Sequence, residues 1–228
     1  MSARTQFDHL LANCLFPDFC SDPSRRAEAS GFVAKSNCVT EIDAKDFLRA
    51  WNAGLPVHQG RGQYLVGAGR VREQFFWSGA KSAENRSFTL WLEPVISMGA
   101  IARLHLDHGW PVSHLAAQSN DWAFDIVALA SDGVSQAIAG EVKKTCAEVD
   151  DLLERMVEFG ANPLAPEPAP GKFRNAYKKV ESLRNGRAAI LWLIGPARYE
   201  KVIEVDYGDD GSMRFVYAHA RKLAYPAE

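Results

Sequence analysis

The sequence predicts a mixed α/β protein with a central mixed sheet flanked by helices. Three observations carry that expectation. "WAFDIVALA" (122–130) and "AIAGEVKKT" (137–145) are apolar runs around the polar turn "SDGVS", and read as a β-hairpin. "AAILWLIG" (188–195) is a continuous apolar run of the kind that forms a fully buried strand. Between and before these strands lie segments with helical periodicity. Strands interleaved with helices in this way form a layered sheet with helices packed on it.

The elements follow in order. Residues 1–40 are weakly patterned, and "PDFCSDPSRRAEASG" (17–31) reads as loop or short turns. "IDAKDFLRAWNAGLP" (42–56) suits a short helix, with Asp43 as N-cap and Gly54 and Pro56 ending it. "GQYLVGAGRVREQFFW" (62–77) reads as strand, glycine turn, strand. Its glycines lack the third glycine opening a helix that a dinucleotide site needs. The polar stretch "SGAKSAENRS" (78–87) is the expected boundary, giving an N-terminal α+β accessory segment (1–82) and a larger domain (83–228). "EPVISMGAIARLHLDHG" (93–109) reads as an apolar-faced helix with Pro94 at its first position and Gly109 past its end. "WPVSHLAAQ" (110–118) is the next strand, followed by the hairpin strands. "CAEVDDLLERMVEFG" (146–160) is an acidic amphipathic helix, expected to face solvent or a partner. "NPLAPEPAPG" (162–171) has four prolines in ten residues and reads as a loop. A basic helix (172–186), the buried strand and a closing hairpin (201–219) around Gly-Asp-Asp-Gly complete the chain.

Composition narrows the functional classes. The 228 residues are 47% hydrophobic and 24% charged, as in ordinary globular proteins, and the net charge of −2 excludes a globally basic nucleic-acid binder. Any such partner must use a local patch. One exists: residues 171–201 hold eight Lys/Arg against two Glu, a net of +6. There Lys172, Arg174, Lys178 and Lys179, with Lys144 upstream, are candidate phosphate contacts, although a solvated helix face explains any one of them. The four cysteines show no C-x-x-C spacing for zinc, and no stretch approaches a membrane span or a secretory signal. A cytoplasmic protein with reduced thiols and no membrane partner is expected.

The chemistry sits in the 122–145 hairpin. Residues two apart share a face of a strand, so Glu141 and Lys143 point the same way. With Gly133 at the turn centre, Asp125 lies directly across from Glu141. Opposed residues have Cβ atoms roughly 4.5–5.5 Å apart, and like charges so placed repel. A hard divalent cation, magnesium or in its place manganese, removes that conflict. Lys143 beside it is suited to orient a water or to stabilise a phosphate oxygen. The bland alternative is a salt-bridged hairpin surface. "LHLDHGWPVSH" (104–114) groups His105, Asp107, His108 and His114, but it reads more simply as a helix C-terminus, where histidine is favoured.

These residues resemble the PD-(D/E)XK nuclease superfamily, the restriction-endonuclease-like fold. Its signature is an Asp on one strand, a variable hairpin, then Glu-x-Lys on the next, within an α-β-β-β-α-β core. Here "FD" (Phe124-Asp125) and "EVK" (Glu141 to Lys143) stand for the two halves, and residues 88–195 cover the core. Phe124 takes the place of the motif proline. The resemblance implies a magnesium-dependent endonuclease-like phosphodiesterase acting on nucleic acid, with DNA favoured and a homodimer compatible. Asp125, Glu141 and Lys143 would be catalytic, Asp125 and Glu141 metal-binding, and Glu93 a further ligand from the first helix. The competing classes are a non-catalytic binding or assembly module on the same fold and a hydrolase of another phosphate ester.

Overall fold

A computed structural model describes residues 1–34, 39–78 and 86–226. The expected boundary at 78–87 falls largely outside the described residues.

The centre is a six-stranded mixed sheet. Its strands are β5 (Leu115–Ala117), β6 (Ile126–Leu129), β7 (Gln136–Val142), β8 (Ile190–Ile194), β9 (Glu200–Tyr207) and β10 (Met213–Tyr217). They lie side by side in chain order. Neighbours are antiparallel except β7 and β8, which are parallel. A parallel pair needs a long crossover, and helices α5 (Cys146–Ala161) and α6 (Lys172–Gly186) supply it.

The two faces of the sheet carry separate cores. Alternation along β7 sends Ile138 and Val142 to one side and Ala139 to the other. Ala139, Leu191 and Leu193 meet Val149 and Met156 of α5 and Val180 and Leu183 of α6. On the opposite side lies α4 (Leu92–Leu106), in which every residue from Pro94 to Leu104 is buried. A helix apolar all round must be covered on both sides, and α3 (Glu41–Asn52) covers the face of α4 turned from the sheet. Gly99 allows the close approach, because a Cβ there would stand 2.8 Å from the Asp46 Cβ. Pro94 takes the third helical position, one turn edge where its missing N–H still costs nothing, rather than the first.

The stretch 17–31 is short turns as expected beyond Cys20, with 3-10 turns at Pro23–Arg25 and Ala29–Gly31, but the weakly patterned residues before it are helical. Helices α1 (Ala3–Leu10) and α2 (Phe16–Cys20) run on through one π-type turn, Leu11–Leu15. The reason is legible: Phe7, Leu11, Leu15 and Phe19 repeat every four residues and are all buried. Two short sheets follow, β1 (Pro56–His58) with β2 (Tyr64–Val66), and β3 (Phe76–Ser78) with β4 (Phe88–Leu90). The hairpin expected over 62–77 is reduced to a single bridge between Tyr64 and Glu73, and each strand takes another partner. The cap of α3 is Thr40, not Asp43; Asp43 is the third-residue partner in a reciprocal capping box. Phe7, Phe47, Phe75 and Phe88 share one core with Ile101, Leu115 and Ile126, so the accessory segment and the sheet are packed together. No helix among the described residues is long and apolar enough to cross a membrane.

Candidate functional site

The hairpin register is the expected one. Ile126 pairs with Gly140, Val127 with Ala139 and Ala128 with Ile138, and a bulge near the turn does not propagate to the open end. Asp125, one residue before β6, therefore stands level with Glu141 near the end of β7. Its Oδ2 accepts from the Val142 N–H at 2.9 Å and its Oδ1 from Gln118 Nε2 at 3.3 Å. Gln118 leaves β5 in a left-handed conformation, with φ at 63°. Its side chain also bonds Glu73, a buried carboxyl whose pKa is pushed up by burial.

Glu141 is 3% exposed. Lys143 Nζ bonds its Oε1, and Lys179 Nζ bonds its Oε2 at 2.6 Å. Lys179 comes from α6, is itself 4% exposed, also donates to the Ala123 carbonyl, and lies 5.2 Å from the centre of the Phe124 ring. Two ammonium groups thus satisfy a carboxylate that could not otherwise remain ionised away from water.

Asp125 has no such partner. Burial first, and the Glu141 charge second, push its carboxyl up to about 7, against the weaker pull of Lys179, the Val142 N–H and Lys143. Lys143 moves the other way from what burial alone would do. Burial disfavours its charge, but Glu141, with Asp125 and Glu93, holds its pKa above the usual lysine range. The site is a cluster of two carboxylates and two ammonium groups in which only one carboxylate is fully neutralised.

Glu93 lies at the start of α4, where its Oε2 accepts from Trp91 Nε1 at 2.9 Å. No three Asp, Glu, His or Cys side chains gather tightly enough among the described residues to hold a metal unaided. Glu93 is therefore near enough to act on Lys143 but is not assembled with Asp125 and Glu141 into a three-carboxylate set. The histidine group also disperses. Asp107 pairs with Arg49, its Oδ2 2.9 Å from Nη1, and His105 Nδ1 lies 2.8 Å from the Trp110 carbonyl oxygen.

The basic segment is less free than its composition suggests. Arg174 and Lys178 both bind Glu167, at 2.5 and 3.0 Å, and Lys172 lies 3.6 Å from Asp151. Lys144 is exposed and 3.9 Å from Glu148. These four remain at the surface. Lys179 does not: its ammonium is inside the site, which corrects its expected role as a phosphate contact. Of the acidic helix α5, Asp151 turns toward Lys172 and Arg155, whereas Glu167, the partner of Arg174 and Lys178, belongs to the loop between α5 and α6.

Lys179 as partner of Glu141, and Gln118 as partner of Asp125, are the site residues that sequence reasoning missed. For Lys179 a signal exists. Ala176, Lys179, Val180 and Leu183 form one inward stripe of α6, and a lysine in an apolar stripe needs a buried partner. For Gln118 there is none, because its role depends on the turn out of β5. No protein-family model matches the chain, nor does any curated protein or solved structure.

Proposed function

We propose that the chain is a metal-dependent phosphodiesterase acting on nucleic acid, DNA by preference, on a restriction-endonuclease-like core. The observation that carries the reading is Asp125 level with Glu141 on adjacent strands, with Lys143 on Glu141. The order α4-β5-β6-β7-α5-α6-β8 supports it, since it matches α-β-β-β-α-β with two helices in the crossover.

The donor set suits a hard cation. Magnesium is commonly held by one or two carboxylates, waters and substrate phosphate oxygens, and Asp125 with Glu141 provides the two. A magnesium or manganese ion bound by them would supply Lewis-acid activation at the phosphoryl group. The protein's own side chains do the rest. Lys179 fixes the Glu141 carboxylate from the buried side, leaving its other oxygen to Lys143. Lys143, on the more open side, turns from Glu141 to a phosphate oxygen as substrate arrives and stabilises the charge that grows there. Gln118 orients Asp125. Lys144, Lys172, Arg174 and Lys178 contact flanking phosphates once their carboxylate partners release them.

A second reading has its own observation. Both Glu141 oxygens are held by lysines, as they would be in a non-catalytic module that keeps the cluster for its fold. Incubation of single- and double-stranded DNA with the protein in manganese, then in EDTA, separates the two. Cleavage that needs manganese and vanishes in Asp125→Asn supports the enzyme. A protein inert on both substrates leaves the binding module as the better reading.

A further inference from the structure

A cavity of about 520 Å³ opens where β3, β4, the start of α4 and the β7–α5 junction meet. That volume is in the range of small-ligand pockets. Trp77, Trp91 and Leu90 form apolar walls, and Glu93 and Lys144 bring opposite charges to the same space. Trp77 is 61% exposed, unusual for a residue that most proteins bury. The Trp77 and Trp91 rings stand 6.0 Å apart at 78°, making a corner rather than a closed stack. The Trp91 N–H is spent on Glu93 Oε2, and among the described residues Oε1 accepts no hydrogen bond.

The place of this corner matters. Lys143 and Lys144 are the two residues that follow β7, and their side chains go to different places. Lys143 meets Glu141, while Lys144 lines the cavity. One peptide unit therefore links the two.

We propose that the cavity receives a nucleobase from an unpaired nucleotide adjacent to the phosphate that Lys143 addresses. The proposal rests on the phosphodiesterase reading of Asp125, Glu141 and Lys143. The base stacks on Trp77, Glu93 Oε1 accepts from its exocyclic amino group, and Lys144 meets a neighbouring phosphate. The chemistry selects this occupant. A purely apolar ligand would strand the Glu93 carboxylate without a donor, and a simple cation would face Lys144. A flat ring with an amino edge, joined to a phosphate, satisfies all three. Thymine has no amino group and flanks its one ring N–H with two carbonyl oxygens, so the amino-bearing bases cytosine, adenine and guanine are preferred over it.

The test uses the full chain in EDTA, so that binding is read without cleavage. The probes are the hexanucleotides (dC)6 and (dT)6, followed by tryptophan emission and by competition against a labelled strand. Wild type should bind (dC)6 with quenched emission and more tightly than (dT)6. Trp77→Ala should weaken (dC)6 binding about tenfold or more, the scale of one base–aromatic stack. Trp77→Phe should recover most of it, and Glu93→Gln should erase the preference for cytosine. Absence of (dC)6 binding, or equal binding by wild type and Trp77→Ala, overturns the pocket. Manganese-dependent cleavage is measured separately. Cleavage that is intact in Trp77→Ala with unchanged (dC)6 affinity sinks the pocket and leaves the enzyme. Trp77-dependent binding without cleavage by wild type keeps the base site and sinks the phosphodiesterase.

Discussion

Asp125→Asn is the most informative perturbation because it separates charge from shape. The Asp125 carboxyl rises from an ordinary 3.8 to about 7 in the folded protein. The folded state therefore holds this proton more tightly than the unfolded chain does. Its contribution to stability is complete below about pH 4 and is lost as pH climbs through 7, at roughly 1.4 kcal/mol per unit. The full loss is at most about 4 kcal/mol, of which about 2.7 falls between pH 5 and 8. Asparagine cannot ionise, so the variant escapes that loss. It retains an acceptor for the Val142 N–H, but turns an NH2 toward Gln118 Nε2, and the resulting rearrangement costs about 1 kcal/mol. Urea unfolding in EDTA at pH 5, 6, 7 and 8 measures the balance. The variant should gain on wild type by about 2–3 kcal/mol across that range and be the more stable protein at pH 8. Millimolar manganese should reverse the order, because a ligand at about 100 times its Kd adds about 2.7 kcal/mol to the protein that binds it. A stability difference that does not change with pH would refute the proton argument. Equal responses of both proteins to manganese would refute the metal site.

Other perturbations divide fold from chemistry. Lys143→Ala should keep its melting temperature within a few degrees while manganese-dependent cleavage falls by roughly 10²-fold or more, the scale of one lost transition-state donor; full cleavage activity in the variant would remove Lys143 from the mechanism. Lys179→Met should instead destabilise by about 3–5 kcal/mol, because it leaves Glu141 buried with half its partners, and a denaturation curve like that of wild type would show the pair to be dispensable. Phe47→Ala should cost about 3–5 kcal/mol, and calorimetry of wild type should give one transition, since Phe47 shares its core with the sheet; two separate transitions would mean that residues 1–82 fold apart.

Much of the fold was legible because its signals are local. Alternation and a polar turn placed the 122–145 hairpin, and the symmetry about Gly133 put Asp125 across from Glu141 in the register observed. The bulge at Ala128/Leu129 lies on the turn side and so leaves that pairing intact. The N-terminal helices were equally local, in the 7, 11, 15, 19 stripe, but were obscured by the Pro17 and Pro23 punctuation around them. The exchange of partners among β1 to β4 was not local at all. Three-residue strands carry too little pattern to choose a neighbour, and the packing of Phe76 and Phe88 on Phe19, and of Phe75 on Phe47, chooses for them.

The same division runs through the site. The sequence by itself determined that two carboxylates and a lysine share one end of a hairpin, because strand geometry repeats every two residues whatever surrounds it. Only the tertiary structure decided their charge states. It brought Lys179 from 38 residues away onto Glu141, left Asp125 with a neutral Gln118 and one backbone N–H, and so divided two carboxylates into one neutralised and one poised near neutral pH. It also set Trp77 and Glu93 around the cavity beside Lys144. Burial and long-range partners fix the energy of an ionised group, and neither is written in the spacing of residues along a strand.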